Sequence, residues 1–363
     1  MGQKALFAKD YEKLGMKKEI QLFEDGLRSK PMKGNYEWWY FDTKLKDDSS
    51  LVIVFHTGPI ASFSDGFKPY VTFDLTKPAG KSDGESCGLE IHREYYPKEN
   101  DYSFADDCCN VRIGECVFKG DLNTYGIYYK DEEVEATVTL KGKVPSWRPH
   151  SGHIYFNEKD YFAWLPSVPE GTVEVELNYK GETHHYEGTG YHDHNWGNKP
   201  MFFLMHHWYW GRAKVGDYTI VSSFITANKK CGFSEIPIFM IAKDGKIIAD
   251  DADNCLTYTE TDYVFDEVTK KHVAETIIYD YKDEGRRYKI AYRKNENIER
   301  MGMETQLTKW QYPIIWLMGL RGSYHRIGGE VILEVYQGDT LVESLTAPAI
   351  YEQMYFGKDR LRG

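Results

Sequence analysis

Short stretches in which apolar and polar residues alternate, or in which β-branched and aromatic residues cluster, recur along most of the chain. They predict β-strands, because successive side chains of a strand point to opposite faces. The predicted strands are Ser50–His56, Tyr70–Leu75, Glu133–Lys141, Gly171–Tyr179, Tyr218–Thr226, Ile236–Ala242, His272–Tyr279, Tyr288–Tyr292 and Glu330–Tyr336. Turn-forming groups such as Lys-Gly at 180–181 and Asp-Gly at 244–245 separate them, and only the first thirty residues hint at helix. The pattern predicts an all-β protein of barrel or sandwich type.

With 363 residues, the chain is long enough for two domains. Its composition changes around Asn195–Met201, where an acidic, turn-rich half gives way to a run rich in Trp and Met. We therefore expect a partly helical N-terminal extension at residues 1–30, a first domain at 31–197 and a second at 198–363.

The net charge of −11 and the lack of clustered Lys and Arg argue against nucleic acid as a partner. The N-terminus lacks the apolar core of a secretory signal, and the most apolar runs are too short to span a bilayer. We expect a cytoplasmic protein with at most peripheral membrane contact. Aromatic residues make up 15% of the chain, which suits either a large β core or a cleft for flat, apolar molecules.

The most informative segment is Gly190-Tyr-His-Asp-His-Asn-Trp-Gly197. If it is a strand, one face carries Tyr191, Asp193 and Asn195, and the other carries His192, His194 and Trp196. An inward row of hydrogen-bonding side chains is costly unless it is paired or functional. The alternative is a polar loop in which the Asp caps backbone amides.

The spacing His192-x-His194 also suits a pair of metal ligands on a strand. The order of residues does not fix a third ligand, and the six cysteines fit no zinc spacing, so we predict no metal site. Motifs for nucleotide, flavin or nicotinamide binding are also absent from the sequence.

Two further aromatic segments are candidates for a binding pocket, and both also suit a core. In Asn35–Asp42, five aromatic residues surround Glu37, with Trp39 predicted on the same strand face. A carboxyl between rings is either paired or has a raised pKa. In Met201–Arg212, His206 and Trp208 fall on one face and offer hydrogen-bonding groups among rings.

Three motifs together, Tyr36-Glu-Trp-Trp-Tyr40, Gly188-x-Gly-Tyr-His-Asp-His-Asn-Trp-Gly197 and Tyr351-Glu-Gln-Met-Tyr-Phe-Gly357, occur in this order. In this respect the chain resembles the carotenoid 1,2-hydratase (hydroxyneurosporene synthase) superfamily. That superfamily includes kievitone hydratase, bacterial attachment-type proteins and the lipocalin-like fungal Diels–Alderases.

The resemblance implies two lipocalin-like antiparallel β-barrel domains, a hydrophobic substrate cleft at or near their junction, and neither metal nor organic cofactor. It implies catalytic roles for Tyr191 and Asp193 and a contribution from Trp164. It also implies a His two residues before Trp164, where this chain has Phe162, and this departure counts against carotenoid hydration itself.

The residue chemistry then predicts a reaction. A carboxylic acid held among rings keeps its proton near neutrality, so Asp193 could protonate an alkene of an isoprenoid or polyene. Water addition or ring closure would end the reaction. The alternatives are a pericyclase, which needs no proton donor, and a carrier of lipid or isoprenoid without turnover. The residues expected to line the substrate site are Glu37, Trp39, Trp164, His192, Asn195, Trp196, His206 and Trp208.

Overall fold

The computed structural model describes residues 3–59, 65–77, 90–250, 252–302 and 322–359. These residues form two units, one of Phe7–Tyr155 with Asp160–Met201 and one made chiefly of the chain from Phe202 onward. We call them the N-terminal and C-terminal units. The all-β class is confirmed, because each unit is built on one lipocalin-like antiparallel sheet.

The sheet of the N-terminal unit has thirteen strands. They are β1 (Leu6–Phe7), β2 (Tyr36–Leu45), β3 (Ser50–His56), β4 (Tyr70–Thr76), β5 (Glu90–Tyr95), β6 (Tyr102–Phe104), β7 (Asn110–Ile113), β8 (Cys116–Gly120), β9 (Thr124–Lys130), β10 (Val134–Gly142), β11 (His153–Tyr155), β12 (Tyr161–Tyr179) and β13 (Glu182–Gly197). The main path runs β5-β4-β3-β2-β13-β12-β10-β9-β8-β7-β6. Strand β13 therefore lies between β12 and β2, near the middle of the sheet.

The sheet of the C-terminal unit has nine strands in the order β17-β16-β15-β14-β22-β21-β20-β19-β18. They are β14 (Met205–Val215), β15 (Tyr218–Ala227), β16 (Glu235–Lys243), β17 (Lys246–Ala249), β18 (Leu256–Asp266), β19 (Lys271–Asp283), β20 (Arg286–Gly302), β21 (Ser323–Gln337) and β22 (Thr340–Tyr355).

Helical structure within the described residues is limited to single turns. Four are 3₁₀ turns, at Glu12–Leu14, Leu22–Asp25, Met201–Phe203 and Lys229–Cys231, and α1 spans Ala252–Cys255. No helix of the described chain combines the length and apolar character that crossing a bilayer requires.

Two of the predicted turns show why the strands reverse where they do. Lys180 and Gly181, between β12 and β13, have φ of 53° and 82°, and Asp244 and Gly245 have φ of 50° and 75°. Two successive residues with positive φ form the turn whose twist matches a two-residue hairpin. The long hairpin β12–β13 is thereby set in register.

Alternation along the strands separates a core face from an outer face in the N-terminal unit. Trp39, Phe41, Ile53 and Phe55 are each 0% exposed and belong to one apolar cluster. The strand residues between them face the other way. We call the side of the sheet that carries this cluster the inner face and the opposite side the outer face.

Candidate active site

Strand β13 carries polar residues on both faces, as the alternation predicted. Register places His194 beside Trp39 of β2, on the inner face, and Asp193 beside Tyr40, on the outer face. The inner set is His192, His194 and Trp196, and the outer set is Tyr191, Asp193 and Asn195. All six residues are 5% exposed or less. A single strand therefore holds two separate polar groups.

On the outer face, three side chains point hydrogen-bond donors at the Asp193 carboxyl. Trp164 Nε1 lies 2.6 Å from Oδ2, and the Tyr191 hydroxyl lies 2.7 Å from the same oxygen. Asn195 Nδ2 lies 2.6 Å from Oδ1. The carboxyl is thus fixed in position by neutral groups on β12 and β13.

Burial raises the pKa of Asp193 from 3.8 to about 6, and the bonds from Trp164, Tyr191 and Asn195 limit that rise. Desolvation disfavours the charged form of a carboxyl, whereas donors favour it. Asp193 is therefore about half protonated at pH 6 and about one-tenth protonated at pH 7.

The bonding pattern also restricts where that proton lies. An indole N–H can only donate, whereas a phenol hydroxyl both donates and accepts. At Oδ2, the protonated carboxyl can therefore donate to Tyr191, and the Tyr191 hydroxyl can turn its own hydrogen elsewhere. Asp193 and Tyr191 together form a short path for a proton.

Aromatic rings surround this pair. The edge of Trp147 meets Trp164 with ring centroids 6.1 Å apart, and Tyr40 meets Tyr191 in the same manner at 6.3 Å. Trp38 lies opposite Asn195 in the register of β2 and β13. Ring faces stabilise a nearby cation through their quadrupoles. The outer face thus combines a proton source with a surface suited to positive charge.

The inner face holds a different arrangement around Glu37. Its Oε1 lies 2.7 Å from His194 Nε2 and accepts the backbone N–H of Arg28 at 2.7 Å, and its Oε2 accepts that of Ser29 at 2.6 Å. His194 Nδ1 lies 3.1 Å from the Glu24 carbonyl, which can only accept. Both ring nitrogens of His194 therefore act as donors, as in an imidazolium paired with a carboxylate.

Asp25 and His192 repeat this pairing on the same face. His192 Nδ1 lies 2.8 Å from the Tyr40 carbonyl, and Nε2 lies 3.3 Å from Asp25 Oδ2, which also accepts the Tyr125 hydroxyl at 2.5 Å. Burial pushes the pKa of Asp25 up, but His192, His194 and Tyr125 together hold it below 3.8. The inner carboxylate stays ionised.

One group of described residues has ligand atoms close enough to share a metal ion. Asp25, Cys109 and His192 are all buried, and their ligand atoms lie within 4.8 Å of one another. Burial raises the pKa of the Cys109 thiol well above its usual value, so without a metal it is a neutral thiol. The ion pair of Asp25 and His192 already accounts for the other two side chains.

The residues singled out in the sequence thus fall into three places. Tyr191, Asp193, Asn195 and Trp164 meet in one hydrogen-bonded group on the outer face. Glu37, Trp39, His192 and Trp196 lie on the inner face, because strand alternation turns them away from Asp193. His206 and Trp208 belong to β14 of the C-terminal unit, where their rings contact Tyr355 and Phe356, respectively.

Three residues of these two groups have no distinguishing signal of their own in the sequence. Tyr40 belongs to the aromatic run Tyr36–Phe41 and is predicted on the same strand face as Trp38. Only the register of β2 and β13 places it beside Asp193. Trp147 lies in a loop outside any periodic segment, and Asp25 lies in a 3₁₀ turn. Neither position carries a local signal of its role.

Two curated proteins are similar in sequence to about half of this chain. The chain is 27% identical over 222 residues to the quinolone epoxide rearrangement protein asqO of Emericella nidulans, covering 51% of this chain and 53% of that protein. It is 24% identical over 218 residues to the acyclic carotenoid 1,2-hydratase of Rubrivivax gelatinosus, covering 55% and 50%. The chain thus spans about half the length of these relatives.

Solved structures share the fold over nearly the whole chain. The crystal structure of CghA with Sch210972 matches with a TM-score of 0.59 at 11% identity, covering 98% of each chain. Kievitone hydratase from Nectria haematococca matches with a TM-score of 0.53 at 11% identity, covering 92% of this chain and 96% of that one.

The family model described as Diels-Alderase-like matches residues 117–348, which include both β13 and most of the C-terminal unit. This range is well over half of the 363 residues. The chain belongs to the Diels-Alderase-like family.

Proposed function

We propose that this protein is an enzyme that uses its own side chains to protonate an alkene of a hydrophobic isoprenoid or terpenoid. Asp193 is the acid, Tyr191 relays its proton, and the reaction ends in water addition or ring closure. The observation that carries the proposal is a buried carboxyl with a pKa of about 6 that is held by neutral donors alone and flanked by aromatic rings.

The chemical step balances within the site. The π electrons of the alkene form a C–H bond with the hydroxyl hydrogen of Tyr191. At the same time the Tyr191 oxygen takes the proton of Asp193, which becomes a carboxylate. Positive charge develops on the more substituted carbon, where tryptophan and tyrosine rings stabilise it by about 2 kcal/mol each when water is excluded. The same carboxylate can then recover a proton and close the cycle.

Two endings are open to this cation. Attack by water, followed by loss of one proton to Asp193, gives a tertiary alcohol. Attack by a second alkene of the same molecule, followed by loss of a proton, gives a ring. The relatives include a hydratase and an epoxide rearrangement protein, and both names are compatible with an acid-initiated reaction.

Pericyclic chemistry is the second candidate, because the family is Diels-Alderase-like. In that case Asp193 and its donors would fold the substrate and polarise a carbonyl without transferring a proton to carbon. A carrier that binds an isoprenoid without turnover is the third. A cytoplasmic location remains a sequence-based prediction.

Turnover in heavy water separates the first two candidates. We would incubate the protein with a panel of acyclic isoprenoid polyenes in D₂O and analyse the products by mass spectrometry and NMR. The proposal predicts one deuterium bound to carbon at the protonated position. Product formed without deuterium on carbon would establish the pericyclic alternative.

Asp193→Asn separates catalyst from carrier. The variant keeps the shape of the side chain but cannot supply a proton, so turnover should fall while binding of the polyene persists. Asp74→Asn is a matched control, because Asp74 lies on the outer face of the same sheet and its side chain is 35% exposed. A full rate in Asp193→Asn would contradict the proposal.

A further inference from the structure

A row of side chains extends across the outer face from the acid site. Register aligns Trp164 with Asn195, Asn195 with Trp38, Trp38 with His56 and His56 with Tyr70. Cross-strand partners lie on the same face of a sheet. The row therefore crosses β12, β13, β2, β3 and β4 and connects the neighbourhood of Asp193 with His56.

The far end of this row is a stack of rings. His56 and Tyr70 lie face to face with centroids 4.3 Å apart and planes 5° apart. Tyr70 stacks in turn on Tyr96, at 5.6 Å and 20°. Tyr96 is 63% exposed, whereas His56 is 8% exposed. The stack thus leads from an exposed ring to a largely buried imidazole.

The imidazole of His56 has unused hydrogen-bonding capacity. Its Nδ1 is buried and has no hydrogen-bond partner among the described residues. Nearly all buried polar atoms in native proteins are bonded, so such an atom calls for an explanation. Burial lowers the pKa of His56 to about 3, so at working pH the ring is neutral and offers one donor and one acceptor.

Sheet geometry sets the distance between this imidazole and the acid. Two strand spacings of about 4.8 Å, combined with an offset of two residues along the strand, put the Cα atoms of His56 and Asp193 about 12 Å apart. A molecule that touches both groups must be elongated. Because the ring is neutral, it suits an uncharged polar group better than a carboxylate or phosphate.

We propose that His56 is a specificity-determining residue, which hydrogen-bonds a hydroxyl or carbonyl group of an elongated unsaturated substrate whose reacting alkene lies against Asp193. The ring of Trp38 lies between the two ends, and the rings of Tyr70 and Trp164 lie beyond them at either end of the row. The inference rests on the proposed function in taking the outer face as the substrate site. It adds that the substrate carries a neutral polar group remote from the reacting double bond.

Binding of two matched probes tests this inference. Farnesol carries a hydroxyl at the end opposite its terminal double bond, and farnesene is a hydrocarbon with the same carbon count. Both affinities would be measured by quenching of tryptophan fluorescence in the Asp193→Asn background, where no turnover interferes. The preference for farnesol over farnesene is the readout, because a ratio within one variant does not depend on the fraction folded.

His56→Phe keeps a flat ring for the stack but removes both nitrogens. We expect it to lower the farnesol affinity about tenfold and to leave the farnesene affinity unchanged, because only the hydrogen bond is lost. His56→Gln should restore much of the preference. His92→Phe is the control, since His92 lies on the same face of β5 and its side chain is 68% exposed.

An unchanged farnesol preference in His56→Phe would overturn the inference, as would an equal loss for both probes. These results are distinguishable from a failure of the proposed function. If Asp193→Asn turned over substrate at the full rate, the acid assignment would fall, while the probe preference would still report on His56.

Discussion

Buried carboxyl groups lie against both faces of β13, and their surroundings differ. On the inner face, Asp25 and Glu37 each meet an imidazole, so burial is offset by a counter-charge. On the outer face, Asp193 bonds only neutral donors, and burial prevails. The pKa of Asp25 is therefore lowered, whereas that of Asp193 rises to about 6. Burial alone does not assign a role to a carboxyl, because the hydrogen-bond partner decides its charge.

The largest expected effect comes from removing the outer acid. Asp193→Asn should lower the turnover number by about 10³-fold, within the range for a general acid, because an amide is not acidic enough to supply the proton. Steady-state kinetics on the substrate identified in heavy water would measure this. Cooperative unfolding should be preserved. A loss of activity that accompanied a loss of folded protein would instead make Asp193 structural.

Breaking the pair of Glu37 and His194 on the inner face should lower stability and leave activity largely unchanged. Glu37→Gln removes the carboxylate that lies 2.7 Å from the buried His194 and leaves Asp25, 3.5 Å away, as the remaining acid beside that ring, so the free energy of unfolding should fall by about 3 kcal/mol. Denaturant titration would show it, and activity per folded molecule should change little. The exposed pair of Lys46 and Glu187 supplies the control, for which Glu187→Gln should cause no measurable change. Normal stability with lost activity in Glu37→Gln would contradict the division between faces.

The pH dependence of stability should also differ between the faces. The folded pKa of Asp193 is raised, so its contribution is fully present below pH 3.8 and is lost as the pH rises through about 6. Between pH 4 and 7 the wild type should lose about 2 kcal/mol of stability relative to Asp193→Asn. Asp25 has the opposite sign, because its pKa is lowered and its contribution disappears as the pH falls below 3.8. If the free energy of unfolding varied with pH in the same way in the wild type and in Asp193→Asn, the pKa of Asp193 would not be raised by folding.

The smallest effect is a shift of the acid's own titration. Trp164→Phe keeps an aromatic ring but removes the N–H bonded to Asp193, and that bond lowers the pKa of the carboxyl. The pH at which activity falls on the alkaline side of the pH–rate profile should therefore rise by about one pH unit. Trp147→Phe should leave it in place, because Trp147 contacts the Trp164 ring without bonding Asp193. A downward shift in Trp164→Phe would be inconsistent with this bonding.

Much of the fold was predictable because its signals are local. The prediction for Ser50–His56 coincides with β3, and the Lys-Gly and Asp-Gly turns have the expected positive φ. The two faces of Tyr191–Trp196 also followed from alternation alone.

The sequence did not show which remote residues lie beside each face of β13, because this depends on strand pairing between distant segments. Tyr40 lies beside Asp193 only because β2 pairs with β13, and Asp25 reaches His192 from a turn 167 residues away. No periodicity in one segment reveals which remote residue supplies a counter-charge. Glu37 therefore looked as suitable for a substrate pocket as Asp193 until the pairing was known.

The protonation state of Asp193 can be measured directly and without a substrate. Protein labelled with ¹³C at the aspartate side-chain carboxyl carbons would be titrated by NMR, with Asp193→Asn identifying the resonance. We expect that resonance to titrate near pH 6. A resonance that titrates at or below pH 4 would mean that burial does not raise the pKa of this carboxyl, and the account of the outer face as a proton source would be wrong.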